Sequence, residues 1–302
     1  MRKIFFYLCI LIPTITYSQE IQWTSFVWYS DTLSGTVRPK LAILIPCMLK
    51  GNPRKLLLQL DSGADGSSIQ EGPRRQFHLP ITWADSEYAF TTVSATLGSY
   101  HIDSIRFAIT RDAKDTLQEN DPYPNIGTLG EDFLVGKVLI LDFPHNRFAI
   151  FDSMNRLPDE FLSRVSFTSL NRRNNKLFVT IQLGDTASSN FFFDSGSSMF
   201  PIITTKQLWK RLTGLQGNES SLLRAKVASW GKDVIEVGAP IKGGVRLGIL
   251  TVPNAIAYFD STRDEFASYP FKTDGLIGNA LLYDDYTVVI DLVKNRFGIL
   301  RE

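Results

Sequence analysis

"LQLDSGADGSSI", residues 59–70, ends an apolar run on a carboxylate and follows it at once with small residues. Alone, the stretch is ordinary turn chemistry, because Asp and Ser side chains bond the nearby backbone and Gly accepts positive φ. A second occurrence changes that reading. Residues 191–202, "FFFDSGSSMFPI", repeat the order of apolar run, Asp-Ser-Gly, small residues and apolar run. The likeness extends further. "TLGEDFLVGKVLILDFPHNRFAI" (128–150) and "LIGNALLYDDYTVVIDLVKNRFGI" (276–299) share an apolar-apolar-Gly opening, a Leu four residues after the Gly, and a closing Asn-Arg-Phe. Between these blocks "TLGSYHIDSIRFAI" (96–109) matches "RLGILTVPNAIAYF" (246–259), and Trp83 and Trp230 fall in corresponding places. Three blocks in one order define a duplicated unit of roughly 130 residues, a common domain size.

Within each unit the runs are short, rich in Val, Ile, Phe and Leu, and broken by Gly, Asn, Asp and Pro, which predicts strands joined by turns. "LFVTIQLGDTASSNFFFDSG" reads as a hairpin. Helical spacing is sparse: residues 204–214 carry it and end on Gly, and short pieces are expected at Glu131 to Leu134 and Asp159 to Ser163. The expected fold is mainly β, with two similar β-barrel-like lobes and a cleft between them. Residues 151–176 lack sustained alternation, so the lobes divide there, at 19–164 and 165–302. This connector reads either as a flexible linker or as a partly helical piece packed between the lobes.

The 302 residues are 44% apolar, enough for a sizeable core, and 32 Lys plus Arg against 31 Asp plus Glu exclude a global electrostatic pull toward nucleic acid or anionic lipid. Residues 1–18 have a basic start and an apolar stretch too brief to span a bilayer comfortably, which reads as a cleaved export signal rather than a retained anchor. Of the two cysteines, Cys9 lies in that leader and Cys47 in an apolar run, so the mature chain has no internal disulfide. Export without bridges suits a periplasmic or secreted protein of a Gram-negative bacterium, with no stable membrane insertion after leader removal. His78, His101 and His145 lack metal-ligand spacing, and no metal or cofactor is expected. Asp132, Asp142, Asp284 and Asp285 read as turn acids and solvated charge, "GGVRLG" as a strand-turn cluster, and "NRRNNK" as too short a basic run for nucleic-acid binding.

The two Asp-Ser-Gly loops, each with a later apolar-apolar-Gly segment, resemble the aspartic peptidases, in their two-lobed, pepsin-like form with retropepsin-like lobes. The resemblance spans nearly the whole mature chain. It implies that Asp61 and Asp194 form a catalytic carboxyl pair hydrolysing peptide bonds. Ser62 and Ser195 would hold the loops together by interlobe hydrogen bonds, while Gly63 and Gly196 permit close backbone approach. Gly130 and Gly278 would pack behind. With both lobes in one chain, it implies a monomer acting on polypeptide. Ser197, where the first loop has Ala64, suggests a hydrogen bond that makes Asp194 the more readily ionised acid. The retroviral partner of Asp65, an Arg after the later Gly, is replaced by Glu131, so Asp65 either caps a turn or faces the cleft. A flap is sought from Trp83 to Ala95, with Trp83, Tyr88 and Trp230 as candidate substrate contacts. The alternatives are an inactive peptidase-like module binding peptides or envelope proteins, and a β-rich glycan-binding or structural envelope protein.

Overall fold

The computed structural model describes residues 20–33, 35–85, 87–110, 121–229 and 232–301. The leader and Trp230 lie outside the described residues. Each lobe is organised around one three-strand unit. In the first lobe, strand Leu56–Leu60 runs into Asp61, and Asn125–Leu129 lies parallel beside it with Leu60 level with Leu129. The other edge of Asn125–Leu129 pairs antiparallel with Ser68–Gln70. The late strand therefore slots between two strands that are neighbours in the chain, and the Asp loop crosses its end. The second lobe repeats this: Gly275–Gly278 lies parallel to Thr186–Asp194, with Asp194 level with Gly278, and antiparallel to Ile202–Thr204. "GLIG" is buried throughout and "NIGTL" is buried except at the half-buried Asn125 and Thr128, so neither shows the strict apolar-polar alternation of a strand with one wet face.

The two lobes share a sheet. Hairpin Val138–Asp142/Arg147–Phe151 joins hairpin Tyr286–Asp291/Arg296–Arg301 through antiparallel pairing of Val138–Asp142 with Tyr286–Asp291. Ile140 faces Val289, and the same spacing separates Asn146 from Asn295, so equivalent residues meet at the axis relating the lobes. The repeated Asn-Arg-Phe has a local cause. Asn146 and Asn295 hold φ of 51° and 52° in the hairpin turns, a conformation Asn tolerates well. The following arginines turn back on the acids closing the preceding strands, with Arg147 Nε 2.5 Å from Asp142 and Arg296 2.9 Å from Asp291. Asp142 and Asp291 are thus buried, charge-paired turn closers; the solvated role expected for Asp142 is corrected by this pairing.

The connector is packed. Helix Asp159–Arg164 follows a turn at Met154–Arg156, and Met154 and Leu157 bury against Val138, Ile140 and Val289. It then leads into hairpin Ser166–Arg173/Lys176–Leu183, turned by Asn174 and Asn175 at positive φ. Helix Lys206–Thr213 forms as its spacing predicts: the Thr205 hydroxyl accepts from Leu208 N–H, and Gly214 ends it at φ 76°. Its first-lobe counterpart, Glu71–Gln76, carries no such signal because Gly72 and Pro73 interrupt the pattern, although Pro is tolerated in a first turn. No helix among the described residues is long and apolar enough to cross a membrane.

Candidate active site

The two Asp-Ser-Gly loops meet at the lobe junction and are bonded to each other reciprocally. Ser62 N–H donates to Ser195 Oγ at 2.9 Å, and Ser195 N–H donates to Ser62 Oγ at 3.0 Å. Each hydroxyl then donates across the junction, Ser62 Oγ to the Phe193 carbonyl (2.9 Å) and Ser195 Oγ to the Leu60 carbonyl (3.2 Å). Both serines are 1% exposed, so losing either hydroxyl strands buried backbone groups at about 1–3 kcal/mol apiece. The glycines act across the junction as well. A Cβ on Gly63 would sit 2.4 Å from Asp194 Cγ, and one on Gly196 would sit 2.5 Å from Asp61 Cγ. Only residues without side chains let the two carboxyls close on one another.

Each carboxyl is also held by its own loop. Asp61 Oδ1 accepts from Gly63 N–H (2.9 Å) and Ala64 N–H (3.0 Å); Asp194 Oδ1 accepts from Gly196 N–H (2.9 Å) and Ser197 N–H (3.3 Å). Burial raises both pKa values above the usual carboxylate range. For Asp194 the negative charge of Asp61 adds to burial, and its carboxyl is pushed up to about 8. On Asp61 the backbone donors, the Asp194 hydrogen bond and Lys176 oppose the rise. Both acids are thus pushed toward the protonated form, with the opposing influences gathered on Asp61 and the added repulsion on Asp194. The hydroxyl bond from Ser197 on which the expectation for Asp194 rested is not formed. The Ser197 hydroxyl lies beside Gly278, 3.1 Å from where a Cβ there would stand.

Behind the loops, Gly130 presses on the Gly66 backbone and Gly278 on the carbonyls of Ser197 and Phe200, leaving no room for a side chain at either. The residues after these glycines differ in kind. Asn279 donates to the Ser195 carbonyl (2.7 Å) and Ser198 Oγ (2.8 Å). Glu131 is fully buried and takes two bonds, at 2.5 and 2.6 Å, from Arg172 of the second lobe. Asp132 accepts from Ser67 N–H and Oγ at 2.8 and 2.7 Å, so it braces the first loop although it is exposed. Asp65 does not line the cleft; Lys176 of the second lobe donates to it. The bracing roles of Lys176, Arg172 and Glu131 escaped sequence reasoning. The one available signal was "NRRNNK", whose hairpin turn brings Arg172 and Lys176 to the first lobe.

The carboxyl pair opens into a cavity of about 420 Å³ lined by both lobes. Tyr29 and Leu41 of the first lobe and Val227, Phe200 and Tyr269 of the second give it a mainly apolar wall, with Asp31 and Glu236 as further acids. Trp83 and Tyr88 are not brought there. Residues Trp83–Ala84 and Ala89–Leu97 do form a hairpin, with Asp85 N–H donating to the Tyr88 carbonyl at 2.8 Å, but Trp83 packs on Phe90 and both it and Tyr88 are about half exposed. Among the described residues, no group of three His, Cys, Asp or Glu side chains could hold a metal ion.

Paired three-strand units, a shared sheet and a junctional carboxyl pair define a mainly β protein of two repeated lobes. The solved structures it resembles include the aspartic proteinase from Irpex lacteus, at 13% identity over 93% of this chain and 97% of that one, with a TM-score of 0.47. They also include conglutin gamma, a unique basic 7S globulin from lupine seeds, at 10% identity over 94% of this chain and 96% of that one, with a TM-score of 0.46. No protein-family description matches the chain, and no curated protein matches it.

Proposed function

We propose that the protein is an aspartic endopeptidase. The observation that carries the reading is the half-buried Asp61–Asp194 pair, brought close because Gly63 and Gly196 carry no side chain, at the floor of an interlobe cavity. Two such acids share one proton, because ionising both side by side is costly. A water held between them loses a proton to Asp61 as its oxygen attacks a peptide carbonyl carbon. Asp194 gives its proton to the carbonyl oxygen as charge develops there. When the tetrahedral species collapses, the C–N bond breaks, the leaving nitrogen takes the proton from Asp61, and Asp194 recovers one from the hydroxyl that becomes the new carboxyl carbonyl. The mainly apolar wall suits apolar substrate side chains. Export through residues 1–18 belongs to this proposal, and mass spectrometry of the native protein is expected to find Gln19 at its N-terminus.

The test is digestion of a mixed peptide library from pH 3 to 8 by the wild type and Asp61→Asn, in water enriched in ¹⁸O. Cleavage by the wild type alone, with one ¹⁸O in each new C-terminal carboxyl, supports the reading. Peptide binding without cleavage by either protein overturns it in favour of a binding module.

A further inference from the structure

The two halves of the carboxyl pair follow one backbone plan, yet their charged surroundings differ. Four residues after Asp61 stands Asp65; four after Asp194 stands Ser198, which accepts from the neutral Asn279 amide. Level with the second acid, the pairing of Leu177 with Phe193 places Lys176 next in register; level with the first, the pairing of Ile43 with Leu60 places Ala42. The junction therefore has a cation on one strand and a methyl group on its counterpart. Asp65 draws that cation toward the Asp61 loop, since Lys176 Nζ donates to Asp65 Oδ1 across the lobes.

Exposure decides how the two charges count. The Lys176 side chain is 4% exposed, whereas that of Asp65 is 80% exposed. Water screens the Asp65 charge, while the ammonium acts through protein of low polarisability, where Coulomb interactions reach further. Among the described residues lining the cavity, the other charged groups are of the wrong sign to hold Asp61 ionised: Asp194 beside it, and Asp31 and Glu236 on the wall. Behind the loop, Glu131 and Arg172 neutralise each other and Asp132 is bonded to Ser67. Among the described residues, Lys176 is the cation that favours Asp61 as carboxylate.

We propose that Lys176 is a positioning residue for the proton of the pair: from the second lobe it fixes Asp61 as the acid that ionises and Asp194 as the acid that keeps the hydrogen. The role deepens the peptidase reading and rests on it for its use in catalysis, but the charge asymmetry itself exists without any substrate. A neighbouring cation shifts a carboxyl by about one pH unit or more.

The experiment is a ¹³C NMR titration of the Asp61 carboxyl in aspartate-labelled protein, assigned with Asp61→Asn, together with the acid limb of kcat/KM. Lys176→Met is expected to raise the Asp61 midpoint by about one pH unit and move the acid limb equally. Asp65→Asn, which breaks the same ion pair but leaves the buried ammonium, is expected to lower the midpoint. A purely structural clamp predicts that both variants lose stability together with the midpoint unmoved, and that result overturns the proposal. If Lys176→Met does not fold, Asp65→Asn still decides: an unchanged or raised midpoint refutes it. If no peptide is cleaved but the midpoints move as stated, the peptidase reading fails and the charge asymmetry stands.

Discussion

Replacing Gly63 by Ala tests the steric contact that lets the first loop close on the Asp194 carboxyl. The new Cβ falls 2.4 Å from both Asp194 Cγ and Oδ1 and 2.5 Å from Oδ2, although the backbone at Gly63 is not in the left-handed region, so the substitution strains packing rather than φ. Carbon atoms rest at about 3.5–4.0 Å, so the carboxyl or the loop must yield by roughly 1 Å. Hydrogen-bonded reach between reacting groups is about 2.6–3.2 Å, and a displacement of about 1 Å costs on the order of 10²-fold in rate. Overpacking is expected to remove about 1–3 kcal/mol of stability as well. The assay is kcat on a fluorogenic peptide beside urea unfolding of the same preparation, with Gly66→Ala as the control, since a Cβ there meets nothing nearer than 3.7 Å. Gly63→Ala cleaving within about threefold of wild type would refute the idea that this contact sets the carboxyl geometry.

Three further expectations use other contacts. Ser62→Ala and Ser195→Ala should each cost about 2–6 kcal/mol in urea unfolding, because each strands two buried partners at about 1–3 kcal/mol apiece; the double variant should fall short of their sum. Asp194 has a folded pKa of about 8, raised above an unfolded value near 3.9, so between about pH 4 and pH 8 the native state holds a proton that the unfolded chain has released. Stability should therefore decline as pH rises across that window, kcat/KM should show a basic limb near 8, and Asp194→Asn should shrink the decline to the part that Asp61, also raised, contributes. Arg172→Met leaves the fully buried Glu131 without its partner and should destabilise by about 3–5 kcal/mol, whereas Arg172→Met with Glu131→Leu should recover most of the loss.

Features encoded within a few residues were legible in the sequence. Asp61-Ser-Gly and Asp194-Ser-Gly, the two apolar-apolar-Gly strands and the paired Asn-Arg-Phe turns each impose a local backbone requirement, and their repetition disclosed the mainly β, two-lobed fold. Contacts made across the lobes left no local trace beyond the basic run "NRRNNK", which does not say where it docks. Lys176 reaches Asp65 over 111 residues and Arg172 reaches Glu131 over 41. The direction of the Ser197 hydroxyl is set by space beside Gly278, and the burial of Asp142 by its place in the shared sheet. Trp83 and Tyr88 sit on a hairpin whose approach to the cavity depends on tertiary placement, so chain distance from Asp61 misplaced them.

The central claim is that Asp61 and Asp194 hold one hydrogen between them, and infrared difference spectroscopy at pH 6 reads it directly. The wild type minus Asp194→Asn spectrum should contain one protonated-carboxyl C=O band, which disappears as pH rises through about 8. A spectrum without that band at pH 6, with both acids ionised, would contradict the shared proton and the hydrolysis built on it.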